Sequence, residues 1–437
     1  MSPGLAHRIE KAIFESQFHP AIWGVLALTF ISGVFLMVYY VPQFGQAFSS
    51  VERLNEQVPF GWMIRRIHGT GGSFLLILLF LHLAKIFYGG DYKVQRPAAW
   101  VAGVLSLAVA VWVNFTGFFL PLSQHSFWGT ATVLSHLSFI PYGGSFFADF
   151  IRGGKELGGA ALTRFYSMHI GFAALLFILL RCDPGGEWDG ERAGEKDRRR
   201  QQGLWTAWFT AALLLGAITF VPESFSDPLR EAVDPLSNPG GIFLPWYFLF
   251  WEETLKFFTR AYPMLSPVLI LSFVVFILFL PYIDRNPERR IFLRPVSFGL
   301  GIAVLVAWVY FSFVGMANAR YGEKIVLPDR NLLVSEMRGA RVYLEKNCAY
   351  CHQIFGRGGR REGPDLSGVQ LRNRSPEWIQ RFVLNPRIYQ PGTTMPGYEI
   401  RLEDLEALAA YLLSFDPQKQ IFRTVERRRF LDLGLNH

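Results

Sequence analysis

The stretch from Trp62 to His82 sets the strictest condition on what this chain can become. It is apolar and long enough to span a bilayer, it carries no charge between His68 and His82, and Gly69, Gly71 and Gly72 sit beside the first histidine. In a helix, a spacing of fourteen residues puts both imidazoles on one face, about 21 Å apart along the axis. An ionisable side chain in hydrocarbon costs free energy unless it pairs or coordinates. The two positions therefore read as ligands for two haems stacked across a membrane, the alternative being histidines hydrogen-bonded across a helix bundle. Absent side chains at the glycines would let a flat macrocycle lie against the backbone, and they would equally suit close helix packing.

That stretch is one of seven apolar runs, at about 21–41, 63–88, 98–122, 163–181, 204–222, 263–283 and 295–316. The chain is 51% hydrophobic and 16% aromatic, with a positive mean hydropathy. The expected fold is all-α, a polytopic membrane helix bundle of four haem-binding helices plus three, followed by a soluble α-helical domain. A net charge of +8 would suit nucleic acid, but the basic residues sit in loops after the second, fourth and sixth runs. They are Lys85, Lys93 and Arg96; Arg192, Lys196, Arg198, Arg199 and Arg200; and Arg285, Arg289, Arg290 and Arg294. That is the positive-inside pattern, with no nucleic-acid partner implied. It makes these loops and the N-terminus cytoplasmic, and seven crossings then leave the C-terminus outside. The first twenty residues are polar, with Arg8, Lys11 and Glu15 and no apolar region resembling a signal peptide, so the first run is expected to direct insertion.

The expected division is a four-helix haem-binding domain at 1–203, a three-helix domain at 204–316, a polar linker at 317–332, the soluble domain at 333–415 and an exposed tail at 416–437. Two long outer connections stand out. Residues 123–162 contain His125 and His136, which read as solvated or interfacial, and a loop of this length often covers a site. Residues 223–262 contain the aromatic piece from Ile242 to Trp251, too short to span and expected to lie in the interface.

Three cysteines, Cys182, Cys348 and Cys351, leave no room for a disulfide framework. Cys348-Ala349-Tyr350-Cys351-His352 is the c-type haem attachment pattern: two thiols at i and i+3 reach the two vinyl groups, and the adjacent histidine takes an axial position. A zinc site would need a second ligand pair. Met395, in a loop flanked by Pro396 and Gly397, is the candidate opposite ligand, a thioether that raises haem potential; Met337 is the other methionine of this domain. Pro364 could offer its carbonyl to the second nitrogen of His352.

Arg65 and Arg66, at the outer end of the second run, could pair with haem propionates or anchor the helix at the interface. On the fourth run His169 lies level with His68, and the two helices run in the same direction. His68 and His169 can thus sandwich one haem.

These residues, Arg65, His68, Gly71, His82, Gly103 and Gly117 on the third run, Thr163-Arg164-Phe165 with His169, and Pro245-Trp246-Tyr247-Phe248, closely resemble cytochrome b of the quinol:cytochrome c oxidoreductase (cytochrome bc) complexes over about residues 10–316. Residues 333–415 resemble a mono-haem class I cytochrome c. The resemblance implies an outer, low-potential haem b on His68 and His169, an inner haem b on His82, one covalent haem c, and quinol oxidation near Trp246 and Tyr247. It implies a Rieske iron–sulfur partner, since no iron–sulfur motif occurs here, a soluble cytochrome or terminal oxidase as acceptor, a homodimeric complex, and proton release outside a bacterial inner membrane, with the cytochrome c domain periplasmic. Three positions depart from the family. Arg181-Cys182-Asp183-Pro184 stands where a second histidine of the fourth helix belongs, so the inner haem lacks its expected partner; the alternatives are a five-coordinate haem on His82 with an open sixth position, a substitute ligand at that level, His19 before Cys182, or no inner haem. Pro245 stands where the quinol-site glutamate belongs, which leaves Glu252, then Glu253, as candidate bases. The first run has no cysteine for an extra covalent haem. Other readings are a non-bifurcating electron relay between a dehydrogenase and the quinone pool, and a membrane anchor for the cytochrome c domain.

Overall fold

The computed structural model describes residues 18–93, 97–138, 140–182, 193–220, 229, 231–235, 244–258, 265–318, 324–358, 363–372, 374–390, 393, 395–419 and 421–432. The first seventeen residues, Arg96, Asp183 to Arg192 and Ile242-Phe243 lie outside that range. The seven apolar runs fall on seven helices: α1 (Phe18–Tyr39), α3 (Gly61–Gly89), α4 (Pro97–Phe119), α7 (Gly159–Cys182), α8 (Ala193–Phe220), α10 (Leu265–Ile283) and α11 (Pro295–Asn318). Five of them, α1, α3, α4, α7 and α11, are long and apolar enough to cross a membrane. In α10 the apolar segment Val268–Ile283 is shorter, and α8 opens with the charged run Glu195-Lys196-Asp197-Arg198. Only 6% of the apolar window of α11 is buried in the protein and 17% of that of α7. Faces so apolar and so exposed are stable in hydrocarbon, where the helical backbone satisfies its own hydrogen bonds. The chain is a multi-pass helical membrane protein.

The chain divides into two compact units, the first comprising residues 1–123, 151–230 and 268–307. Within it α1 packs on α3 and α8, α3 on α4, and α4 on α7. Small residues set these distances. A Cβ on Gly24 would lie 2.4 Å from Ala207 O on α8, and one on Gly71 would lie 2.3 Å from Thr29 Oγ1 on α1. At its C-terminal end α3 stops at Gly90, whose φ of +65° closes the helix with a left-handed cap. Arg294 Nη2 donates to the carbonyls of Phe87 and Tyr88, and Nη1 to Tyr92 Oη, which itself donates to Asp284. Ile86, Tyr92, Trp100, Val104 and Leu280 form the apolar cluster beneath. Alongside α3 runs α2 (Ala47–Gln57), an amphipathic helix in the first outer turn.

The second unit comprises residues 124–150, 231–267 and 308–437. The first outer connection contributes α5 (Gln124–Ser138) and α6 (Gly144–Arg152). Gln124 binds the 231–234 segment twice, its N–H donating to Glu231 O and its Oε1 accepting from Asp234 N. The aromatic piece of the second connection forms α9 (Trp246–Phe258), thirteen residues long. The C-terminal part has its own core, built on the crossing of α12 (Val334–Glu345) with α16 (Leu402–Leu413) and joined by α14 (Pro376–Leu384). The expected linker and tail meet here: β1 (Lys324–Pro328) pairs antiparallel with β4 (Phe422–Glu426), and Tyr411 Oη donates to Val326 O between them.

Candidate functional site

His68 on α3 and His169 on α7 face each other with ring centroids 6.0 Å apart. Each is turned by the same device. His68 Nδ1 donates to Thr29 O on α1 and His169 Nδ1 to Val113 O on α4, both at 2.9 Å. In a helix the carbonyl of residue i is covered by the side chain of i+4, and here those positions are Gly33 and Gly117. A Cβ on either would lie 2.8 Å from Cε1 of the histidine ring. The i+3 residues repeat as well: Ser32 Oγ and Thr116 Oγ1 donate to the same two carbonyls at 2.9 Å. With Nδ1 engaged, Nε2 keeps the lone pair of each ring. Metal–imidazole bonds of about 2 Å put two axial rings about 6 Å apart, so this pair fits one haem between them.

Of the glycines singled out in the sequence, Gly117 makes room for the His169 ring, while Gly71 admits α1 and Gly72 admits Asn114 of α4. Gly103 is open: a Cβ there would meet only Leu83 Cδ1, at 3.6 Å. The Arg66 guanidinium stacks 5.0 Å over the Trp62 ring at the N-terminal end of α3. Gly33, Thr29, Ser32, Val113 and Thr116 escape a reading based on histidines. The signal that finds them is a hydroxyl followed by glycine, Ser32-Gly33 and Thr116-Gly117, level with each histidine.

At the inner level His82 is 4% exposed, and its ring centroid lies 6.1 Å from that of His19 on α1. Trp23 Nε1 donates to His19 Nε2 at 3.3 Å, and Trp23 packs edge-on against Phe177 of α7, 5.2 Å away. Cys182 is exposed.

In the soluble part, Cys348 and Cys351 bracket the single turn α13 (Cys348–Cys351), with His352 directly after it. His352 Nδ1 donates to Pro364 O at 2.9 Å, as the sequence reading proposed, and a Cβ on Gly363 would strike the ring. Burial holds the imidazole below its ordinary pKa, against the Pro364 hydrogen bond, so the ring stays neutral and can ligate a metal. Burial also pushes the Cys348 thiol up to about 12. Met395 packs on the core of this domain, whereas Met337 is 43% exposed on α12, which favours Met395 as the second ligand. The donor set, two thiols, an oriented imidazole and a loop methionine, fits a covalent haem.

On α9, Trp246 contacts Tyr247 and Trp308, with centroids 5.7 and 6.3 Å apart. Glu252 and Glu253, 0% and 2% exposed, lie farther along the same helix, and a Cβ on Gly315 would lie 3.3 Å from Glu253 Cγ. Carboxyls buried this deeply are uncommon without a functional or pairing role.

Three family models match the chain: Cytochrome b/b6/petB over residues 17–182, Cytochrome b(C-terminal)/b6/petD over 232–327, and Cytochrome c over 336–416. The cytochrome b of Schizosaccharomyces japonicus is 30% identical over 305 residues, covering 67% of this chain and 78% of that protein. A solved structure described as a hyperthermophilic respiratory Complex III matches with a TM-score of 0.58 and 24% identity, covering 68% of this chain and 83% of that one, a likeness of fold.

Proposed function

Because the chain belongs to the cytochrome b family and carries a cytochrome c domain at its C-terminus, we propose that it is the membrane electron-transfer subunit of a quinol:cytochrome c oxidoreductase. The observation that carries this reading is one chain with both an opposed intramembrane imidazole pair, His68 and His169, and a haem c attachment turn. Haem supplies one-electron chemistry at both places. The protein's part is to orient the ligands through the carbonyls of Thr29, Val113 and Pro364.

Quinol is placed beside Trp246 and Tyr247 on α9, with the first outer connection near it, and must lose two protons as it is oxidised. Glu252 takes one of them: it is fully buried, on the same helix, and the glutamate usual in the family is replaced by Pro245. A Rieske partner would take one electron of the quinol and a haem held by His68 and His169 the other, while Cys348, Cys351, His352 and Met395 would hold the haem c that accepts from the Rieske centre. The basic loops after the second, fourth and sixth apolar runs support a cytoplasmic N-terminus, and seven crossings, with α8 and α10 added to the five helices long and apolar enough to cross, would leave the cytochrome c domain and the released protons on the periplasmic side of a bacterial inner membrane. The complex is a homodimer that delivers to a soluble cytochrome or terminal oxidase. The test is Glu252→Gln in the purified complex. Quinol oxidation should slow by roughly 10²-fold or more while haem content is unchanged; a normal rate would move the role to Glu253 or His136.

A further inference from the structure

The four core helices repeat themselves at two levels fourteen residues apart. The outer level holds Gly33 of α1, His68 of α3, Gly117 of α4 and His169 of α7; the inner level holds His19, His82 and Gly103, while α7 ends at Cys182, thirteen residues after His169. Each level therefore has two histidines, but the second one has moved from α7 to α1. The ring separations are nearly equal, 6.0 Å for His68–His169 and 6.1 Å for His19–His82. Gly103 occupies on α4 the place that Gly117 has at the outer level, with only Leu83 Cδ1 near it, 3.6 Å from where a Cβ would lie. Trp23, wedged on Phe177 of α7, holds the His19 ring turned into the bundle, and coordination through Nε2 would exchange this long hydrogen bond for an iron bond.

We propose that His19 and His82 are the two axial ligands of the inner haem b, so that α1 replaces α7 as the source of the second ligand. The site rests on the cytochrome b reading above but uses residues outside the outer pair. A histidine buried 4% exposed in a membrane bundle has its desolvation offset by coordination, and a ring about 6 Å from a second ring meets the separation of a shared metal. Cys182, the other candidate at this level, is exposed at the end of α7.

The experiment is His19→Gly in the full-length protein, read by haem b content per covalent haem c and by low-temperature EPR. The unaltered protein should show two low-spin b haems per haem c. His19→Gly should convert the inner one to high spin or release it, leaving the outer haem b and haem c in full, and added imidazole should restore the low-spin signal. Full retention of two low-spin b haems in His19→Gly would overturn the proposal, as would a single haem b per haem c in the unaltered protein. His68→Ala is the separate control: if it leaves the b spectrum unaltered, the outer site is wrong, whatever His19 does.

Discussion

A glycine can act by uncovering a backbone carbonyl. Thr29 and Val113 sit in helices whose carbonyls already bond the N–H four residues on, so the second lone pair is open to a histidine only where that residue has no side chain. Gly117→Val tests this. Its Cβ would start 2.8 Å from His169 Cε1, a distance that forces the ring to move. The expected cost is about 1–3 kcal/mol of overpacking, with the outer haem b lost or turned high-spin while haem c stays. A low-spin outer haem of normal midpoint potential in the variant would mean that the carbonyl contact is not what aims the ring. The histidines themselves were legible because charge-capable side chains are rare in apolar runs. The carbonyls were not, since a backbone acceptor leaves no letter in the sequence.

Among the elements, the α12–α16 crossing carries the soluble part. A Cβ on Gly339 would lie within 1.9 Å of Ala407 O, so the two helices touch backbone to backbone at that point. Gly339→Ala should destabilise this domain by about 3 kcal/mol or more, seen as an earlier loss of haem c ligation on heating. The same crossing is tied at its edge by Arg338, which donates to Asp404 at 2.8 Å and to Glu403 at 3.0 Å, with Arg401 donating to Asp404 at 3.0 Å. The Arg338 hydrogen bond, aided by Arg401, holds the Asp404 carboxyl below its ordinary value. A depressed carboxyl stabilises the fold fully above its unfolded pKa, near 3.9, and the contribution disappears as pH falls through the lower folded value. Asp404→Asn should accordingly melt earlier at neutral pH, by ~1 kcal/mol or less for a pair this close to solvent, and the gap should close in acid; a gap constant with pH would assign the effect to something other than the ion pair. The helices of this domain were legible from periodicity and the attachment motif. The β1–β4 pairing was not, because strands about 100 residues apart in sequence, Lys324–Pro328 and Phe422–Glu426, carry no local mark of their partner.

At the scale of the molecule, two kinds of burial are joined in one chain. The spans leave apolar faces outward, with Phe30, Ile31, Phe177, Ile178, Val306 and Val309 all exposed, and hold their polar groups inside. The soluble domain does the reverse around Ile325, Leu344, Leu408, Tyr411 and Phe415. Length and hydropathy made the apolar helices readable to within about four residues, except that α8 begins at Ala193 rather than near 204. The helices α2, α5 and α6 in the long connections went unread because they are short, at eleven, fifteen and nine residues, and lack the long apolar run that marks a span. Separate cores have a consequence for assembly. The proposed ligands of the outer haem b, His68 and His169, lie on α3 and α7, whereas Cys348, Cys351, His352 and Pro364 belong to a domain with its own core. Cys351→Ala removes one of the two thiols of the attachment turn and should abolish normal covalent haem c, leaving the low-spin b spectrum at full strength in the membrane fraction. Reduction of a soluble acceptor by quinol should then fall by about tenfold or more, because the proposed exit runs through haem c. His68→Ala should give the opposite pattern, with haem c attached and the outer b signal gone. Loss of both spectra from the single cysteine variant would show that the two cores do not fold independently, and an undiminished acceptor rate would place the exit of electrons elsewhere than the fused domain.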